Sequence, residues 1–216
     1  SDGIEELFET GKHISVDIFS DEYMDKINAI QLPNTKIKIL QRLLSQAIEE
    51  FKKVNRIMSL EFSERMKRVV DEYNNRRRDE AFANEVLDDV ADQLAALLEE
   101  LKKERDSFKV MGIDYEEKAF YDILMALRDE YNFEYGTDKM VDGVSVNEKC
   151  KVLAKKIKEI IDTKSSFADW LNNQIVRDQL KFDIKVCLIK NGYPPQYSPE
   201  VFRKVMEQVE NFEENN

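Results

Sequence analysis

The chain has 216 residues, a formal charge of −11 and 36% charged side chains, so it holds one large domain or two small ones with a sizeable core. Only six glycines and four prolines punctuate it, which excludes most sandwiches and barrels and favours long, solvated helices. The acidic balance sets it apart from the usual basic DNA-binding domain, and two cysteines without paired spacing rule out a disulfide framework and suit a reducing cytoplasm.

In chain order, the opening "SDGIEELFETGK" lacks the basic start and apolar core of a signal peptide. It carries no initiator Met, as a piece of a longer protein or a processed terminus would. Ser20, Asp21 and Glu22 form a helix start ahead of "YMDKINAI". Pro33 breaks the chain, and Asn34 or Thr35 is expected to cap the next helix. There Ile37, Leu40, Leu44, Ala47, Ile48 and Phe51 recur at steps of three and four, making one apolar stripe. "NRIMS" interrupts it, and Phe62, Met66, Val69, Val70 and Tyr73 line a second helix.

The longest pattern runs from Phe82 through Val86, Val90, Leu94, Leu97 and Leu98 to Leu101. Gly112 is expected as its left-handed stop, and Asp114 with Glu117 as the capping box of the next helix. A looser connection is expected from Glu134 to Val144, around Gly136, Asp142 and Gly143. Ser145 and Glu148 repeat the capping-box spacing ahead of Cys150, Leu153, Ala154, Ile157, Ile160 and Ile161. A further helix places Val176, Leu180, Ile184, Cys187 and Leu188 on one face. In "NGYPPQYSPE", Asn191 and Gly192 end that helix, Pro194 and Pro195 prevent its continuation, and Ser198 caps a last helix that opens with Pro199. The expectation is an all-α, irregular bundle of about seven helices. No period of 20 to 50 residues marks a solenoid.

Chemistry is sparse. Around Gly11–Lys12 a phosphate-cradling loop would need Gly in place of Glu6 and Ser or Thr in place of His13. Glu50 with Lys52, or Glu116 with Lys118, has the spacing of a nuclease acid-x-Lys unit, but both pairs fall within helical patterns. His13, the only histidine, has no recognisable catalytic partner. Cys150 and Cys187 lie on apolar faces, as structural thiols do. Two basic clusters, around Arg76, Arg77 and Arg78 and around Lys151, Lys155 and Lys158, either touch phosphates or answer neighbouring carboxylates. At the corner, Tyr193, Pro194, Pro195 and Tyr197 either anchor a partner or pack inward to hold the bend.

Several stretches carry a resemblance. "ISVDIFSDEYMDKI" (14–27), "LPNTKIKILQRLL" (32–44), "FSERMKRVVDEYNNR" (62–76), "EEKAFYDIL" (116–124), "DWLNNQIVRDQLKFDIKVCLIKNGYPP" (169–195) and "VMEQVENF" (205–212) follow one another. In that order they resemble the C-terminal helical domain of type I restriction enzyme R subunits. The resemblance implies a larger parent: a site-specific deoxyribonuclease with ATPase and translocase activity, using ATP and Mg, in the bacterial or archaeal cytoplasm. It implies that 1–32 connects to the motor domains and that 33–216 is the helical domain. That domain is expected to be non-catalytic, without a cofactor or metal of its own, and to dock the motor onto the methyltransferase core of M and S subunits. The alternative is a DNA-contacting module using the clusters around Arg76 and Lys155. No membrane role is expected.

Overall fold

The computed structural model describes residues 20–75, 84–165 and 172–215. The helices are α1 (Asp21–Asn28), α2 (Pro33–Lys52), α3 (Arg56–Asn75), α4 (Asn84–Asp106), the single turn α5 (Phe108–Met111), α6 (Tyr115–Glu130), α7 (Glu148–Ser165), α8 (Gln174–Lys190) and α9 (Pro199–Asn215). A small antiparallel hairpin, β1 (Asp138–Val141) and β2 (Val144–Asn147), precedes α7. Among the described residues the fold is all-α apart from that hairpin. His13, Arg76, Arg77, Arg78, Phe82 and Trp170 lie outside the described residues.

Two compact units emerge. The first takes the described residues up to Glu50 and those from Leu60 to Glu104; the second takes Phe51–Ser59 and those from Arg105 onward. In the first, the Ser20 hydroxyl accepts the Tyr23 amide at 3.2 Å and so caps α1. Pro33 is the first residue of α2 rather than a break ahead of it. Proline suits that position because the missing N–H would have had no partner there. Asn34 and Thr35 therefore lie inside the helix, not at its cap. Most of the apolar stripes become the core: Ile37, Leu40, Leu44, Ala47 and Ile48 of α2, Phe62 of α3, and Val90, Leu94, Leu97, Leu98 and Leu101 of α4 are buried, joined by Leu87. Met66, Val69, Val70 and Tyr73 of α3 and Val86 of α4 are half-buried.

The second unit is built on α6 and α7, with α8 packed on α7 and α9 on α6. Asp114 caps α6 in a complete capping box: its carboxylate accepts the Glu117 amide at 2.7 Å, and Glu117 accepts the Asp114 amide at 2.9 Å. Gly112, at φ 68°, closes α5 as a left-handed stop. The segment 51–59 is held by hydrogen bonds. Gln208 Nε2 donates to the Val54 carbonyl at 3.0 Å, and Asn55 Nδ2 donates to Asp122 at 2.6 Å. Asn55 also caps α3, its side-chain oxygen accepting the Met58 amide at 3.1 Å.

The connection expected to be irregular is instead the hairpin. Asp142 (φ 48°) and Gly143 (φ 79°) are its two turn residues, and positive φ at both is what a tight hairpin turn demands. Ser145 consequently sits in β2, and Asn147 caps α7 in its place, accepting the Cys150 amide at 3.0 Å. Asn147 is fully buried and also donates to the Tyr135 carbonyl at 2.7 Å and to Asp138 at 2.9 Å. Its own amide donates to the Tyr121 hydroxyl at 3.0 Å. Every polar atom of this buried amide side chain thus has a partner, as burial requires.

Candidate functional site

The stop of α8 shapes the corner. The Tyr193 amide donates to the Leu188 carbonyl at 2.9 Å and the Gly192 amide to the Ile189 carbonyl at 3.0 Å. These two bonds make a Schellman motif around Gly192, whose φ is 66°. Asn191 keeps a negative φ, so Gly192 alone supplies the left-handed residue. The Asn191 side chain contributes differently, donating to the Cys187 carbonyl at 2.7 Å and accepting from Lys156 at 3.0 Å.

The two corner tyrosines part company. Tyr193 is wholly buried, its hydroxyl donating to the Leu124 carbonyl of α6 at 2.7 Å. Its ring meets Phe133 and Tyr135 edge-on, with centroids 5.3 and 5.0 Å apart. Burial pushes its phenol well above the ordinary tyrosine range. Of the four corner residues expected as partner contacts, it is the one withdrawn from the surface, and it braces the bend from within. Tyr197 is 68% exposed. Its ring leans on Phe202 at 5.6 Å, and the Lys185 ammonium lies 5.7 Å from its centroid. Pro195 is exposed and Pro194 half-buried.

Together Pro194, Pro195, Tyr197 and Val201 face Tyr131 and Phe133 across an open cleft of about 650 Å³. The far wall was not singled out from sequence. Its signal was weak, because nothing in "YNFE" marks the residues after a helix as a surface. Asn132, at φ 50°, turns the chain there, and Lys204 pairs with Glu130 at 2.6 Å while lying 5.2 Å from the Tyr131 ring centroid. The arrangement is an aromatic and proline surface on stiff backbone. Glu134, Gln196 and Ser198 add polar groups to its lining.

The second basic cluster is largely answered by carboxylates. Lys158 is buried and pairs with Asp162 at 2.5 Å and Glu116 at 2.9 Å. Burial works against its charge, but the hydrogen bonds to those carboxylates prevail and hold its ammonium above the ordinary lysine range. Lys151 pairs with Glu148 at 2.9 Å. Lys155 is exposed, with no ion pair among the described residues. Arg76, Arg77 and Arg78 lie outside them. Glu116 and Lys118 share α6 without forming a nuclease constellation: Lys118 is buried and pairs with Asp122 at 2.5 Å. Glu50 and Lys52 likewise sit within α2. Cys150 is buried, which pushes its thiol up to about 12, and Cys187 is raised for the same reason. Among the described residues no cluster of histidine, cysteine and carboxylates could hold a metal ion, and no helix is long and apolar enough to cross a membrane.

Fold and surface thus define a helical module whose most distinctive surface feature is an open cleft lined by aromatic and proline side chains. Over residues 1–215 the chain matches the family described as type I restriction enzyme HindI endonuclease subunit-like, C-terminal, and it belongs to that family. Among curated proteins it is similar to the type I restriction enzyme HindI endonuclease subunit of Haemophilus influenzae, 24% identical over 219 residues, covering all of this chain and 19% of the relative. It is also similar to the putative type I restriction enzyme MjaIXP endonuclease subunit of Methanocaldococcus jannaschii, 24% identical over 175 residues, which cover 81% of this chain and 15% of the relative. The chain therefore spans about a fifth or less of the length of these relatives. No solved structure matches it.

Proposed function

We propose that this module docks a type I restriction motor subunit onto its methyltransferase core of M and S subunits. In this reading the parent subunit translocates and cuts DNA with ATP and Mg, and this module contributes assembly, not chemistry. The observation that carries it is the corner cleft. Tyr197 and Pro195 stand exposed on backbone that the Schellman motif and the buried Tyr193 hold in place. Rigid aromatic and proline surface loses little conformational freedom on association, and aromatic anchors of this kind dominate interface energetics. The DNA-contacting alternative is weakened by the carboxylates that answer Lys151 and Lys158.

The test mixes the chain with cognate M and S subunits, with and without duplex DNA, and follows complex formation by size-exclusion chromatography with light scattering. Docking predicts co-elution that needs no DNA and survives high salt. It also predicts that Tyr197→Ala weakens association by at least about tenfold, as loss of an aromatic anchor does. Binding to DNA alone, falling steeply as salt rises, would replace this reading with the phosphate-contacting one. No association with either would leave the module as an internal brace of its subunit.

A further inference from the structure

Helix α8 carries two apolar faces. One, with Leu180, Ile184 and Leu188, is buried against the core of the second unit. On the opposite side Ile175, Phe182 and Ile189 are 81%, 61% and 53% exposed. They are seven residues apart, 20° short of two full helical turns, so they form a single stripe about 21 Å long. An ordinary surface helix is polar on its solvent side, and one that is apolar on both sides is normally covered on both.

We propose that a second copy of this chain covers it, the two α8 helices crossing antiparallel about a two-fold axis at Phe182. The pattern is self-complementary. Ile175 and Ile189 lie equally far from Phe182, so the two-fold sets Ile175 of one copy against Ile189 of the other and Phe182 against its own mate. Asp178 and Lys185 flank the stripe on the same side, four residues before Phe182 and three after. A two-fold perpendicular to the helices keeps that side facing itself, so Asp178 of each copy meets Lys185 of the other. Neither has an ion-pair partner among the described residues. Asp178 accepts only the Gln174 amide, at 2.7 Å, and the Lys185 ammonium rests over the Tyr197 and Phe202 rings, 5.7 and 5.6 Å from their centroids. The remaining charges toward this face do not oppose the pairing. Asp183 is held by Lys164 at 3.3 Å and Gln179 at 2.9 Å, and Lys190 lies at the end of the stripe. A single-helix seam falls short of the roughly 1,200 Å² that stable complexes bury, so the pairing is weak and concentration-dependent. It is independent of docking to a methyltransferase.

Sedimentation velocity on the chain, from about 1 μM to about 1 mM, reads the association directly. The wild type is expected to move from monomer toward dimer as concentration rises. Phe182→Glu, with unchanged circular dichroism, should weaken pairing at least about tenfold. Asp178→Lys and Lys185→Asp should each weaken it, since each juxtaposes like charges. Mixed in equal amounts these two variants should form a heterodimer, because both cross-pairs then become Lys against Asp. A wild type that stays monomeric throughout, a dimer indifferent to Phe182→Glu, or a mixture no better than its components would overturn the proposal. Docking is read separately through Tyr197→Ala with M and S subunits, so failure of one leaves the other standing.

Discussion

Removing Tyr193 tests whether the corner is braced from within. Its ring is fully buried and packs edge-on against both Phe133 and Tyr135, while its hydroxyl bonds the Leu124 carbonyl. Tyr193→Phe keeps the ring and deletes one hydrogen bond. The Leu124 carbonyl keeps its helical partner, so the loss is about 1 kcal/mol. Tyr193→Ala also opens a cavity and removes both aromatic contacts, for a total of about 4–5 kcal/mol. Urea unfolding followed by near-UV circular dichroism measures both, with the denaturant slope as a check that only stability has changed. The Ala variant should also free Pro195 and Tyr197, lowering the NMR order parameters of the corner, whereas the Phe variant should not. A Tyr193→Ala loss below about 2 kcal/mol, or equal losses for the two variants, would refute the bracing argument.

The buried phenols and thiol set an alkaline limit. Burial raises Tyr193 and lifts Tyr121, Tyr135 and Cys150 to about 12 in the folded chain. Above pH about 9 the unfolded state releases these protons first. Their contribution is full below that pH and is lost as pH rises toward 12, so midpoint urea concentrations should fall across that window. At the hairpin, Asn147→Ala removes the α7 cap and leaves the Tyr135 carbonyl without its amide donor; a loss of about 2–3 kcal/mol is expected in the same unfolding assay. Gly136→Ala should also destabilise, since a Cβ there would lie 2.4 Å from Asn147 Oδ1 at a φ of +65°. Asp122→Ala removes the carboxylate bonded by both Lys118 and Asn55, and should cost about 3 kcal/mol by thermal or urea melting. Asp122→Asn, which retains an acceptor, should cost less.

Much of the helical frame was legible because its causes are local. Steps of three and four in α2, α4 and α7 mark one helical face wherever that face is later buried. Ser20, the Asp114–Glu117 box and Gly192 work through hydrogen bonds that span only a few residues, so their spacing is itself the signal. Where local signals competed, the sequence alone misled. Ser145 and Glu148 have capping-box spacing, but Asp142–Gly143 folds the preceding segment into a hairpin and hands the cap to Asn147. The cue was the Asp-Gly pair, muted by strands only four residues long.

The site divides in the same way. That residues 191–199 form a stiff proline corner followed from the amino-acid sequence, since Gly192 and the prolines allow few other backbones. That Tyr193 faces in and Tyr197 faces out did not, because α6 supplies the carbonyl that holds Tyr193, 69 residues earlier in the chain. Lys158 reads as one lysine among many until Glu116, on another helix, comes within 2.9 Å. The even spacing of Ile175, Phe182 and Ile189 was present in the sequence all along, yet only the burial of Leu180, Ile184 and Leu188 decides which of the two apolar faces of α8 is left open. Backbone preference acts over a few residues and can be read from them; burial and charge pairing depend on what the rest of the chain brings alongside.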